Sequence, residues 1–222
     1  MWGINGKMTA KSTRPNIVYF FVDDMGYGDA SCLNPDGKIQ TPNIDRLARE
    51  GMVFTDAHSS SAVCSPSRYS VLTGRYNWRS ALQKGIVGLY GAPLIPADRL
   101  TVPTFLSQHG YHTACIGKWH LGWSWPTADG KPLDLPFKIG EAGSHAKRVR
   151  LARFVDYSKP LGGGPLGAGF DFYFGDDVIN QPPFLWIEDN RCLTQPTLPN
   201  HPNILRGSSN GPCTPDWDQA KV

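Results

Sequence analysis

The sequence has 222 residues, a formal charge of +3, 40% hydrophobic and 18% charged residues, an ordinary soluble balance that is enough for one domain with a buried core. No stretch approaches the ~20 apolar residues of a membrane span, and Lys147, Arg148, Arg150 and Arg153 are the only dense basic run, which argues against a nucleic acid as partner. Met1 to Arg14 has lysines but no apolar core of the length that a secretory signal needs.

Residues 16–22, Asn-Ile-Val-Tyr-Phe-Phe-Val, are almost continuously apolar and rich in β-branched and aromatic types. Such a run predicts a strand covered on both faces, as in a parallel sheet under helices. Thr41-Pro42 opens a helix, with Thr41 as N-cap and Pro42 at the first helical position; Ile44, Leu47 and Ala48 form its apolar stripe and Gly51 stops it. Val53 and Phe54 read as a short strand. A second helix starts near Ser65 and runs to Thr73, ended by Gly74. A third spans Thr101 to His109, closed by Gly110, and a strand follows from His112 to Gly117. Strand and helix alternation predicts an α/β sandwich. From Trp125 onward proline and glycine become dense, so residues 126–168 are expected to run over the surface, with a short basic helix from Ala146 to Arg153. Gly169 to Gly175 returns to the core, and the Pro-rich end from Gln181 to Val222 has no clear period.

None of the five cysteines, Cys32, Cys64, Cys115, Cys192 and Cys213, forms a C-x-x-C pair, which argues against a zinc ribbon, and the odd number excludes complete intrachain pairing. Cys115 sits in an apolar run as a buried thiol. Cys192 and Cys213 flank the Pro-rich loop and are placed to pair only under oxidising conditions.

Three short segments concentrate the chemistry. Asp23-Asp24 sits where the first apolar run emerges. Adjacent acids repel and are costly to bury without a partner, and oxygen ligands after a strand suit a hard cation, calcium or magnesium; an Asp-rich turn is the plainer reading. Cys64 heads Cys64-Ser65-Pro66-Ser67-Arg68, near a helix start. It reads as a buried cysteine, as a thiolate nucleophile at a helix N-terminus, or as something that also needs proline and arginine at fixed offsets. Arg68 lies one turn later on the same face. Gly117-Lys118-Trp119-His120-Leu121-Gly122 follows the strand at 112–117. Alternation puts Lys118 and His120 on one side and Trp119 on the other, and two cation-capable groups past a parallel strand's C-terminal end fit an anion site.

Taken together, C-x-P-x-R continued by Ser70-Val71-Leu72-Thr73-Gly74-Arg75, the Asp23-Asp24 pair, Gly117 to Gly122, and the flanking runs Arg14 to Val18, Thr41 to Leu47, Thr101 to Thr104 and Gly110 to Thr113 closely resemble the sulfatase family in family order. The resemblance covers most of residues 15–122 and continues more loosely at 169–175. It implies an α/β fold with a mostly parallel sheet sandwiched by helices, like alkaline phosphatase, with residues 1–14 as a tail and 15–222 as the N-terminal part of the catalytic domain. The implied activity is hydrolysis of a small-molecule or glycan sulfate ester. Cys64 would be oxidised by a formylglycine-generating enzyme, and its formylglycine would bind the cation with Asp23 and Asp24, calcium being the expected ion and magnesium the alternative. Arg68 would steady the formylglycine, Lys118 would contact it and the substrate sulfate, and His120 would assist its proton transfers. Two readings compete. A phosphate or phosphonate ester hydrolase would keep the site, and an inactive N-terminal fragment would keep only part of it. A cysteine hydrolase using Cys64 and a histidine has no partner placed by spacing. The family's later Ser-Asp-Asn-Gly-like metal segment has no counterpart after residue 123, where Asp176-Asp177 and Glu188-Asp189-Asn190 are the nearby acids in an unfamiliar context. The chain thus looks like a sulfatase cut before the second half of its site.

Overall fold

A computed structural model describes residues 14–133, 135, 149–198 and 211–217, and the chain forms two compact units, Met1–Thr55 and Asp56–Val222.

In the first unit the apolar run 16–22 pairs with no strand among the described residues, and its side chains are exposed, Phe20 by 80%. This corrects the expectation of a covered strand. Composition favours the extended backbone, but a strand exists only where a neighbour takes its N–H and C=O groups. Val53 and Phe54 are irregular chain for the same reason. Asp23 and Asp24 form the turn after the run, with Asp24 at φ 57, a left-handed conformation that Asp tolerates better than most residues. Helix α1 is Pro42–Glu50, set between Thr41 and Gly51 as the capping signals predict. The Thr41 hydroxyl serves the loop rather than the helix end. It donates to Asp45 Oδ1 at 3.0 Å and accepts the Ser31 N–H at 2.9 Å, while the Ser31 hydroxyl donates to Asp45 Oδ2 at 2.8 Å. These bonds, the one from Ser31 foremost, hold Asp45 below the usual carboxylate range.

In the second unit, helix α2 is Cys64–Thr73, starting one residue earlier than the sequence signals place it, with Pro66 tolerated in the first turn. Its hydroxyls bond back to the preceding turn, Ser70 to the Pro66 carbonyl at 3.0 Å and Thr73 to that of Tyr69 at 2.7 Å. Gly74 then turns left-handed at φ 65 and its N–H reaches the Ser70 carbonyl, the stop expected of a glycine there. Helix α3 is Val102–Gln108; the Thr101 hydroxyl caps it by accepting the Thr104 N–H at 3.3 Å and donates to the Ala168 carbonyl at 2.6 Å.

The strands are β1 (Ala114–Ile116), β2 (Trp123–Ser124), β3 (Gly162–Gly163), β4 (Phe172–Gly175), β5 (Ile187–Glu188) and β6 (Arg191–Cys192), with a short helix α4 (Gly164–Gly167) leading into β4. A four-stranded sheet has the order β1-β4-β5-β6. Its β1 and β4 are parallel, Ala114 opposite Phe172 and Ile116 opposite Phe174, and β4-β5 and β5-β6 are antiparallel. The fold is thus α/β with a parallel-containing sheet. The antiparallel part follows from the chain: only Asp189 and Asn190 separate β5 from β6, a hairpin that closes with Asp189 at φ 55, whereas a parallel neighbour needs a crossover of a dozen residues or more.

The core is aromatic. Trp123 and Tyr173 are fully buried, and the Trp123 ring meets those of Trp119, Trp125 and Tyr173 at centroid distances of 6.5, 6.5 and 5.7 Å. Such rings need cover on several sides, and the range 126–168 supplies part of it. Thr127, Ala152, Val155 and Leu161 are buried there, and Thr127 bridges to Val155, so this range is not only a surface excursion. Residues 149–151 are helical and lead into the 3-10 turn Ala152–Phe154; residues 146–148 of the expected basic helix, with Lys147 and Arg148, lie outside the described residues. Phe184, Cys213 and Trp217 form a second, smaller cluster. All five cysteines are free thiols, so Cys192 and Cys213 do not pair. Cys115 is half-buried rather than fully enclosed, and burial still pushes its thiol up to about 11 and that of Cys192 to about 12.

Candidate active site

Beyond β1 and β4 the chain builds one continuous feature from residues 117–120 and 174–177. The Gly117 N–H reaches the Phe174 carbonyl at 2.8 Å, and Gly117 then turns at φ 97. The two backbones approach so closely that a Cβ on Gly175 would lie 2.1 Å from the Gly117 carbonyl oxygen, which leaves room only for glycine. The Tyr173 hydroxyl stands 2.9 Å from the carbonyls of both Gly117 and Asp176, sharing one proton between them. The Trp119 N–H then donates to the Asp176 carbonyl and the His120 N–H to the Asp177 carbonyl, each at 3.1 Å. His120 is left-handed, at φ 54. These turns replace the simple alternation expected of an extended segment.

This turn faces the start of α2. Lys118 Nζ donates to Cys64 Sγ at 3.2 Å, and Arg68 Nη1 donates to the Lys118 carbonyl at 2.6 Å. Residues 54 and 50 positions apart in sequence thereby meet at the first turn of one helix. His120 is buried and comes one step behind: its Nε2 lies 3.0 Å from the Val87 carbonyl. A carbonyl only accepts, so Nε2 carries the proton. The Val87 N–H in turn donates to Ser65 Oγ at 3.0 Å. Lys118 therefore reaches Cys64 directly, and His120 reaches its neighbour Ser65 through Val87.

Two acids lie beneath the cations. Asp176 is 1% exposed. Burial first, and then the charge of Asp177, raise its carboxyl to about 7 against the pull of Lys118. Burial raises Asp177 to about 6, opposed by the His120 N–H, the Trp123 indole, Lys118 and Arg68. The Asp177 carboxylate accepts the His120 N–H at 3.1 Å and the Trp123 indole at 3.2 Å on the same oxygen, Oδ1. Their sequence context gave no sign of this. The available signal was position: they follow β4 directly, and β4 is the parallel partner of the strand that carries Lys118. Glu188 and Asp189 belong to the β5-β6 hairpin, where the Asp189 carboxylate takes the Tyr173 N–H at 3.1 Å.

Asp23 and Asp24 belong to the first unit, and Cys64, Arg68, Lys118 and His120 to the second. Two adjacent, exposed carboxylates on a turn are the hard oxygen donors that calcium or magnesium takes, but calcium wants about 6–8 oxygens. Among the described residues, no group of three or more His, Cys, Asp or Glu side chains could hold a metal ion. Position 64 fits a formylglycine. It is half-buried at the first residue of a helix, with a lysine ammonium at hydrogen-bond distance from its terminal atom.

The family model described as Sulfatase matches residues 15–212. The N-acetylgalactosamine-6-O-sulfatase of Bacteroides thetaiotaomicron is 45% identical over 111 residues, 50% of this chain and 21% of that protein. Arylsulfatase D of Homo sapiens is 39% identical over 172 residues, 75% of this chain and 24% of that protein. A solved structure from work on glycosaminoglycan metabolism by Bacteroides thetaiotaomicron superposes with a TM-score of 0.64 at 31% identity, over 86% of this chain and 33% of that one. The chain spans about a fifth of the length of the first of these relatives.

Proposed function

The chain belongs to the sulfatase family, and from that premise we propose that the protein carrying it is a sulfuric ester hydrolase, with Cys64 converted to formylglycine as its nucleophile. The observation that carries this reading is the meeting of Cys64, Arg68 and Lys118 at the start of α2. When bound, the formylglycine and a divalent cation supply an activated oxygen nucleophile and charge compensation.

The chain's own residues have distinct tasks. Lys118 offers a cationic donor at the terminal atom of residue 64, where a sulfate oxygen also needs one. Arg68 fixes the Lys118 backbone, so the ammonium keeps its direction; its guanidinium adds a second positive charge behind the site. His120, with its proton on Nε2 held by the Val87 carbonyl, contributes to proton transfer through its ring. Asp23 and Asp24 are the proposed cation ligands, two adjacent exposed carboxylates with the oxygen chemistry that a hard divalent ion takes. Two carboxylates are fewer than the oxygens such an ion takes, so further ligands, and an acid to protonate the leaving alcohol, are needed beyond the residues named here. The substrate class supported best is a sulfated sugar, from the 45% identity to a protein named for N-acetylgalactosamine 6-sulfate; an aryl sulfate is the comparison case.

The test is turnover by the full-length protein after co-expression with a formylglycine-generating enzyme, on N-acetylgalactosamine 6-sulfate, an aryl sulfate and a phosphodiester. Sulfate-ester hydrolysis lost in Cys64→Ala and insensitive to iodoacetamide supports the reading. Faster phosphodiester cleavage moves the protein to a phosphate-ester hydrolase. Turnover blocked by iodoacetamide would assign a thiol enzyme instead.

A further inference from the structure

We propose that Asp177 is a positioning residue of the site: its carboxylate holds the Lys118-to-His120 turn in the shape that directs the Lys118 ammonium at residue 64. The inference rests on the role given to residue 64 above, but its structural basis is separate.

The segment 117–120 leaves the β1 ladder and has to find new partners for its N–H groups. Carbonyls of 174–177 take three of them, those of Gly117, Trp119 and His120. The third is the demanding one, because His120 sits at φ 54, a conformation that is unfavourable for a bulky residue unless its surroundings fix it. Asp177 grips this N–H twice, through its carbonyl and through Oδ1, each at 3.1 Å. The same Oδ1 accepts the Trp123 indole at 3.2 Å, and Trp123 is fully buried among Trp119, Trp125 and Tyr173. The carboxylate therefore ties the strained residue to a fully buried side chain of the core. Lys118 is two residues before that anchor, and its own carbonyl is held from the other side by Arg68 at 2.6 Å. The turn is pinned at both ends, with the ammonium that reaches Cys64 Sγ between them. Charge is consistent with this placement: Lys118 and Arg68 both lie near enough to favour the ionised form of Asp177.

The experiment uses the protein with Cys64 left as the thiol, so that it does not depend on formylglycine or on turnover. The rate of Cys64 alkylation by iodoacetamide in the folded protein is read by mass spectrometry of the tryptic peptide 50–68, which contains no other cysteine. Lys118→Met, which removes the donor to Sγ, is expected to slow alkylation about fivefold, the effect of one net hydrogen bond. Asp177→Ala should slow it by a similar factor, and the double variant should be no slower than either single one. Asp177→Asn keeps an oxygen acceptor and should stay within about twofold of the parent. Leu82→Ala, a core truncation at a fully buried residue, lowers stability without changing the rate, which separates positioning from loss of fold. Unchanged alkylation in Asp177→Ala, or effects that add in the double variant, overturns the proposal. Should Asp177→Ala not fold, an Asp177→Asn rate as slow as that of Lys118→Met overturns it as well. A coupled cycle in a protein that hydrolyses no sulfate ester leaves the positioning role standing and removes only the proposed activity.

Discussion

Replacing Gly175 by alanine tests the close approach that joins β4 to the Lys118 turn. The added Cβ would lie 2.1 Å from the Gly117 carbonyl oxygen, 2.7 Å from its carbon and 2.9 Å from its Cα. Ordinary carbon–oxygen contact begins near ~3.3 Å, so the two backbones must part by about 1 Å. Both sides are main chain, and neither has a rotamer to give. Overpacking of this kind costs roughly 1–3 kcal/mol, and a backbone collision belongs at the upper end. For a unit of this size that corresponds to a fall in Tm of roughly 5–10 °C. The Gly117 N–H bond to Phe174 at 2.8 Å and the Tyr173 hydroxyl bond to Gly117 at 2.9 Å are the first to lengthen, and Lys118 moves with them. Thermal unfolding gives the stability term, and Cys64 alkylation reads the displaced ammonium. Gly167→Ala is the internal comparison: nothing lies within 4 Å of a Cβ there, so it should be neutral or slightly stabilising. A Gly175→Ala protein with parental Tm and parental alkylation would refute the close-approach argument.

Two further outcomes follow from the charges. Asp176 has its carboxyl raised to about 7 by burial, so the folded state holds a proton that the unfolded chain has released. Its ionisation therefore costs stability that is present at about pH 4 and is lost as pH rises toward 7, on the order of 2–4 kcal/mol in all. Urea unfolding of Asp176→Asn should lack this decline, and an identical pH slope in parent and variant would contradict it. Calcium titration of residues 1–222 carrying formylglycine should show weak binding and poor aryl-sulfate turnover, because the two adjacent carboxylates Asp23 and Asp24 supply too few oxygens. Tight binding with robust turnover would show that this chain completes its own site.

Much of this was legible in the residues themselves, and the limits have physical causes. Thr41, Pro42 and Gly51 around α1 and Gly74 after α2 stand where the capping signals place them, because helix ends are set by local backbone chemistry, while Thr101, read as the first residue of α3, is its N-cap. The α/β class followed from strand and helix alternation. Non-local pairing was not legible: residues 16–22 have strand composition, but no partner strand among the described residues. The β5-β6 hairpin stayed hidden in a Pro-rich end because its strands are two residues long. Of the expected site, Cys64, Arg68 and Lys118 do come together. His120 is buried a step behind them, since left-handed turns at Gly117 and His120 undo the alternation that a strand would have imposed. Asp177 was legible only as one of two nearby acids in an unfamiliar context, because its contact with His120 is long-range, 57 residues away, and adjacent acids on a loop look alike whether they bind a cation or a backbone N–H.

The most direct test of the proposed function is the mass of the tryptic peptide 50–68 from protein co-expressed with a formylglycine-generating enzyme. C-x-P-x-R at 64–68 is the basis for expecting an aldehyde in place of the Cys64 thiol. The aldehyde should be trapped by a hydrazide probe and be absent from Cys64→Ala. Unmodified cysteine alone, with a known sulfatase fully converted in the same cells, would contradict the account.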